Sequence, residues 1–311
     1  NPPPPYNTNS LLSELTGKFR LDARYAMKIL QDLFESGLIT YHRTDSTHVS
    51  SAGLEIAKDY INNVLKEPKL LKLRSWGSEG THECIRPTKP YDVETLRKLL
   101  INGTLKSFVN FVYTHFKVYD IIFRRFLASQ MKPATVVKTR LTVKIGEYAK
   151  TFEFISKILE PGFTKVLPIS VVNLDGIENG SVIRIVDHRI WKGSLYSLYK
   201  QGDIIRLMRE RNIGRPSTYA KILSSILNHG YVIESKNKYL VPTSLGAKIY
   251  EYLTTNYGFL VSEETTRKLG KVMDEIEKGK VDYIEVLRAL FEVLNRAYVE
   301  ERLEKAKAIE T

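Results

Sequence analysis

The feature that most constrains this chain is a double change of hydrophobic period. Up to about residue 130 apolar residues recur every three or four positions, from Pro133 they alternate, and after Gly202-Asp203 the helical period returns. In the first stretch Thr8 or Asn9 is positioned to cap a short helix that stops near Gly17. Asp22 opens an amphipathic run (Ala26, Ile29, Leu30, Leu33, Phe34) closed by Gly37, and Ser50 or Ser51 caps the next helix. Gly37 to Tyr41 reads as a short buried strand or extended segment, and Lys66 to Arg74 as a loop. Asp92 and Thr104 each open another helix, the second running through Phe108, Phe111, Val112, Tyr119, Ile122 and Phe126. Val136 to Val143 and Tyr148 to Ile158 alternate as strands around Gly146, and Asn179-Gly180 marks a later turn. Pro216 begins a helix that ends at Gly230, Tyr231 to Val241 reads as a hairpin, and Thr243, Ser262 and Asp282 cap the helices that follow. The expected fold class is mixed α and β in three parts: a helical domain over 1–130, a β-rich segment over 131–202, and a winged-helix-like helical domain over 203–311.

Composition narrows what such a chain does. Forty-seven Lys and Arg against 35 Asp and Glu leave a net charge of +12, which favours a polyanionic partner, most simply nucleic acid. The excess is uneven: residues 251–311 hold 10 basic and 13 acidic groups, so that tail is expected to be scaffold rather than contact surface. A single cysteine, Cys84, excludes an internal disulfide framework and a Cys-built zinc site. No apolar run reaches the ~18 residues of a membrane helix, and the expected location is cytoplasmic. The chain opens on Asn1-Pro2-Pro3-Pro4-Pro5 without Met and reads as an internal piece of a longer protein. Only three glutamines hint at a heat-adapted source.

Three polar clusters carry candidate chemistry. In Thr40-Tyr41-His42-Arg43-Thr44-Asp45-Ser46, residues 41 and 43 share a face if the segment is extended, so both could meet one substrate group. A phenol of pKa ~10 is a poor nucleophile, and a nearby guanidinium both lowers that value and grips a phosphate. The plainer reading is a strand-end tyrosine among eighteen, with Arg43 paired to Asp45. In Thr81-His82-Glu83-Cys84-Ile85-Arg86-Pro87-Thr88, a lone His and an Arg suit an oxyanion rather than zinc, or are simply loop residues. In Arg211-Asn212-Ile213-Gly214-Arg215-Pro216-Ser217-Thr218-Tyr219, hydroxyls at a helix start beside arginines suit a phosphate, or mere capping.

These three motifs, in this order and with the opening Pro-Pro-Tyr-Asn-Thr and the later Tyr239 to Gly246, resemble type IA DNA topoisomerases over nearly the whole chain. Within that family Tyr41 to Thr47, Thr81 to Thr88 and Tyr119 to Phe126 are most similar to the topoisomerase half of reverse gyrases. The resemblance implies an enzyme that cuts one DNA strand through a 5′-phosphotyrosine, passes a strand and religates. It implies Tyr41 as nucleophile, Arg43 on the scissile phosphate, His82 donating to a nearby phosphate, and Arg86, Arg211, Arg215, Ser217 and Thr218 on the single strand. It further implies a movable tyrosine domain, part of a β arch, and most of a winged-helix domain. The family's magnesium-binding Toprim domain, and the ATP-using helicase-like part of a reverse gyrase, are expected upstream in the same chain, so this piece alone is expected to be inactive and monomeric. Two other readings fit the sequence less well. A non-enzymatic winged-helix DNA-binding protein leaves the Tyr41 and His82 motifs unexplained. A nicking or recombinase-type enzyme places its tyrosine late in the chain, unlike Tyr41.

Overall fold

A computed structural model describes residues 1–107, 109–189 and 197–295. The chain divides into two compact units, Asn1–Ser197 and Leu198–Thr311.

The first unit is helical with one hairpin. Helices α1 (Thr8–Gly17), α2 (Ala23–Glu35), α3 (Ser51–Asp59), α4 (Val93–Ile101) and α5 (Tyr113–Ser129) enclose a core whose fully buried members include Leu11, Leu12, Leu15, Ile29, Leu30, Leu33, Ile39, Ile85, Tyr119, Ile122 and Phe126. The caps follow local side-chain chemistry: Asp22, Ser50 and Asp92 each accept a backbone N–H of the first turn that would otherwise lack a partner. For α1 the cap is Asn7, one residue earlier than expected, with Ser10 completing a reciprocal capping box.

The helix expected from Thr104 starts nine residues later. The Asn102 side chain accepts the Thr104 N–H at 3.1 Å and Gly103 takes φ +72°, which closes a turn instead of a helix. Helix α5 begins where His115 Nδ1 accepts the Val112 N–H at 3.1 Å, while Nε2 faces Asp32 of α2 at 3.1 Å. Phe108 lies outside the described residues.

Strands β1 (Thr135–Ile145) and β2 (Tyr148–Glu160) form the expected antiparallel hairpin around Gly146, in the register Leu141 to Phe152 and Ile145 to Tyr148. Among the described residues, 166–189 form no strand, although they alternate in sequence; Val172 gives one backbone bond to Ile155. Strand propensity without a partner ladder leaves them irregular.

The second unit runs α6 (Gln201–Glu210), α7 (Tyr219–Asn228), the hairpin β3 (Val232–Glu234) with β4 (Leu240–Pro242), α8 (Ser244–Val261) and α9 (Glu263–Glu277). Thr243 and Ser262 cap α8 and α9 as expected. Asp282 accepts the Ile284 N–H at 2.6 Å before a further helix described to 295. Helix α7 starts at Tyr219 rather than Pro216. The Thr218 hydroxyl accepts the Arg215 N–H at 2.8 Å, and the Arg215 carbonyl accepts the Thr218 N–H at 2.8 Å, so 215–218 close as a turn. None of the helices among the described residues is long and apolar enough to cross a membrane.

Candidate functional site

The site is built at the end of α2. Gly37, with φ +69°, ends that helix in a Schellman turn: the Leu38 N–H reaches the Leu33 carbonyl at 3.0 Å and the Gly37 N–H that of Phe34 at 2.8 Å. Leu33 and Leu38 are both buried, supplying the apolar contact that accompanies this motif. The chain leaves extended, and residues 38–40 pair antiparallel with 86–88. The Thr40 N–H donates to the Arg86 carbonyl at 2.9 Å, the Thr88 N–H to the Leu38 carbonyl at 3.1 Å, and the Thr40 hydroxyl to the Cys84 carbonyl at 2.7 Å. This pairing brings two distant motifs together. The Tyr41 and His82 rings lie with centroids 4.7 Å apart, and Phe34 meets the other side of Tyr41 edge-on at 5.4 Å.

The segment after Tyr41 is pinned from the start of α1. The Thr8 hydroxyl touches the His42 and Thr44 carbonyls at 2.7 and 2.9 Å and accepts the Thr44 N–H at 2.8 Å, and the Asn7 amide donates to the Asp45 carbonyl at 2.9 Å. Arg43 is exposed beside Tyr41; its contact is the Gln31 side-chain oxygen at 3.5 Å, one α2 turn before Phe34, and not Asp45. Helix α2 thus supports both the phenol and the guanidinium, and leaves Arg43 open to an incoming anion.

His42 is a residue that sequence reasoning passed over. Its ring is fully buried between Tyr41 and Phe34, and neither nitrogen has a hydrogen-bond partner among the described residues. Burial, reinforced by the Arg43 charge, pushes its pKa down to about 4. The folded chain therefore keeps His42 neutral, while the unfolded chain takes up its proton below about 6.5. Acidification from pH 6.5 to 4 should remove stability worth about 3 kcal/mol from this residue, with no contribution above pH 6.5. Chemical denaturation at several pH values checks this: His42→Leu should flatten the loss across that window, and an unchanged pH slope would refute it.

Arg86, one of the four arginines singled out in the sequence, is bonded within the fold. It is buried, with Nε and Nη2 on the Glu83 carboxylate at 2.8 and 2.6 Å, Nη1 on the Pro87 carbonyl at 2.9 Å, and Nη2 also on Ser50 at 3.3 Å. Its guanidinium fastens the His82 segment to the cap of α3, and it holds the Glu83 carboxyl below the usual range against the opposing effect of desolvation. His82 itself is exposed.

The third motif lies in the second unit. Helix α6 ends in a Schellman turn at Asn212, φ +55°, with the Ile213 N–H on the Met208 carbonyl at 2.7 Å and the Asn212 N–H on that of Arg209. Gly214, φ +77°, sits where an added Cβ would come within 3.1 Å of Met208 and 3.3 Å of Tyr219. Arg211 and Arg215 are exposed, paired to Glu263 and Asp274 at 2.6 Å each. Ser217 is exposed, whereas the Thr218 hydroxyl is engaged with the Arg215 backbone. Among the described residues no group of three or more His, Cys, Asp or Glu side chains could hold a metal ion, so these residues do not fit a magnesium site.

A tyrosine and a histidine ring brought 4.7 Å apart, an exposed arginine two residues on, and an arginine loop in a helix–hairpin–helix unit agree with the family relationship found by comparison. A family model described as DNA topoisomerase matches residues 1–288, and the chain belongs to that family. Curated relatives that it matches include reverse gyrases. That of Pyrococcus furiosus is 46% identical over 95% of this chain and 24% of its own length, and reverse gyrase 1 of Aquifex aeolicus is 44% identical over 95% and 25%. The fold is that of a type IA enzyme: the full-length topoisomerase I of Thermotoga maritima superposes with a TM-score of 0.75 at 31% identity, covering 95% of this chain and 50% of that one. The chain spans about a quarter of the length of the curated relatives.

Proposed function

We propose that this chain supplies the strand-cutting tyrosine and part of the strand-holding surface of a type IA topoisomerase of the reverse gyrase kind. The observation that carries this reading is the 4.7 Å approach of Tyr41 to His82, with Arg43 exposed two residues after the tyrosine. The phenolic oxygen attacks the backbone phosphorus, forming a bond to the 5′ phosphate. The phenolic proton is lost to solvent, the bond from phosphorus to the 3′ oxygen breaks, and that oxygen takes up a proton from solvent and leaves as a hydroxyl. Arg43 grips the phosphate and favours the phenolate, and His82 donates a hydrogen bond to a phosphate oxygen. Religation is the same step reversed. The partner is single-stranded or underwound DNA; magnesium and ATP are handled by other parts of the whole protein. The alternative of a DNA-binding protein without catalysis leaves the Tyr41 and His82 pairing without a use.

The strand-holding part is testable on this chain directly. Residues 1–311 should bind a single-stranded oligonucleotide with affinity that falls steeply with salt, by a log–log slope of ~0.7 per phosphate neutralised. Arg215→Ala should flatten that slope by up to about one such unit without changing base preference. Fluorescence anisotropy across a salt series reads both. Salt-independent binding, or no binding at low salt, would count against the proposal.

A further inference from the structure

The acidic balance of residues 251–311 marks α9 as scaffold on composition alone, yet one stripe of this helix faces the arginine loop. Glu263, Arg267, Gly270 and Asp274 follow the spacing i, i+4, i+7, i+11, which places them on one side of the helix. Each of them touches the loop or its arginines. Arg211 Nη1 donates to Glu263 at 2.6 Å, Arg267 Nη1 to Glu263 at 3.3 Å and to the Arg211 carbonyl at 3.5 Å. Arg215 Nη2 donates to Asp274 at 2.6 Å and to the Gly270 carbonyl at 3.0 Å.

We propose that this stripe completes the strand-binding surface, with Arg267 as a further phosphate-binding residue and Asp274 as a positioning residue for Arg215. The inference rests on the reading of the Arg215 loop as a strand site. Among the described residues Arg211 and Arg267 each commit only Nη1, and Arg215 only Nη2. A guanidinium presents five N–H donors in a fixed fork, so a carboxylate or carbonyl on one nitrogen leaves the remaining edges for a phosphate. The carboxylates therefore aim the arginines without exhausting them. Three guanidinium groups against two carboxylates keep the patch positive. The eleven steps from Glu263 to Asp274 rise ~16 Å along the helix, enough for more than one phosphate. Glu263 stays charged, since its hydrogen bond from Arg211 holds it below the usual carboxylate range.

The test is salt-dependent anisotropy of a labelled oligothymidylate on the full chain. Arg267→Ala should flatten the slope by ~0.7, as loss of one single-strand phosphate contact does. Arg267→Lys, which keeps the charge, should restore the slope. Lys268→Ala, adjacent but paired with Glu264 off the stripe, should leave it unchanged. Asp274→Asn is the sharper arm. It adds one unit of positive charge, so charge alone predicts tighter binding. Loss of positioning instead predicts binding weaker by about threefold to tenfold, because the freed Arg215 must be ordered on contact. Thermal melting should shift little. Tighter binding by Asp274→Asn, or a slope for Arg267→Ala equal to that of Lys268→Ala, overturns the inference. If Arg215→Ala still flattens the slope, only the role of α9 falls; if it does not, the reading of the loop falls with it.

Discussion

Tyr41→Phe should abolish the covalent protein–DNA adduct of the full-length protein completely while strand binding persists. The substitution removes only the phenolic oxygen. The ring that packs edge-on against Phe34 and beside His82 remains, so the ladder holding the segment has no reason to shift. Without that oxygen no bond to the 5′ phosphate forms, and nothing in the arrangement substitutes for it. Incubation with a single-stranded oligonucleotide and Mg²⁺, followed by denaturing electrophoresis and peptide mapping, gives the readout. An adduct on any other of the eighteen tyrosines would remove Tyr41 from its role.

Arg43→Ala and His82→Ala should each slow cleavage by roughly 10²–10³-fold, the usual cost of losing one donor aimed at developing oxyanion charge. Both side chains are exposed, and Arg43 makes a single long contact to Gln31, so melting temperature should change little. His82→Phe separates two roles. It keeps an aromatic ring against Tyr41 but cannot donate, so it should be as slow as His82→Ala if hydrogen bonding is what matters. Arg43→Lys keeps the charge and loses the fork, and should recover only part of the rate. Normal cleavage by His82→Phe would show that the imidazole serves only as packing. A sharp fall in melting temperature with normal cleavage for either alanine variant would make that residue structural.

What was legible in the sequence was mostly local. Asp22, Ser50, Asp92, Thr243 and Ser262 were readable as caps because each acts within three residues of itself, and Gly37 because a helix end needs its positive φ. Two helix starts were misplaced for a related local reason: the Asn102 and Thr218 side chains bind neighbouring backbone N–H groups in turns that compete with the helix. The long-range outcomes were not legible. Glu83 lies within reach of Arg86 along the chain, but nothing near them says that the cap of α3, Ser50, will close over the pair. Arg215 meets its carboxylate 59 positions away. The burial of His42, flanked by a partly exposed tyrosine and an exposed arginine, breaks the polar pattern around it. The meeting of Tyr41 with His82 was expected from family resemblance, and its physical cause, the pairing of 38–40 with 86–88, became visible only in the fold.

That pairing also decides where this chain can tolerate changes of length. Tyr41 and His82 stand near the two ends of a long excursion, residues 42–81, closed at its base by the paired segments. Growth or shrinkage at the exposed turn around Lys66, between buried Ile61 and the pairing of Leu71 with Met131, leaves the base intact and the two rings in place. One residue added or lost between Gly37 and Tyr41, or between His82 and Thr88, acts differently: in extended chain it turns every following side chain to the opposite face. Lineages of this protein should therefore vary in length at that turn and hold those two short stretches to a fixed count.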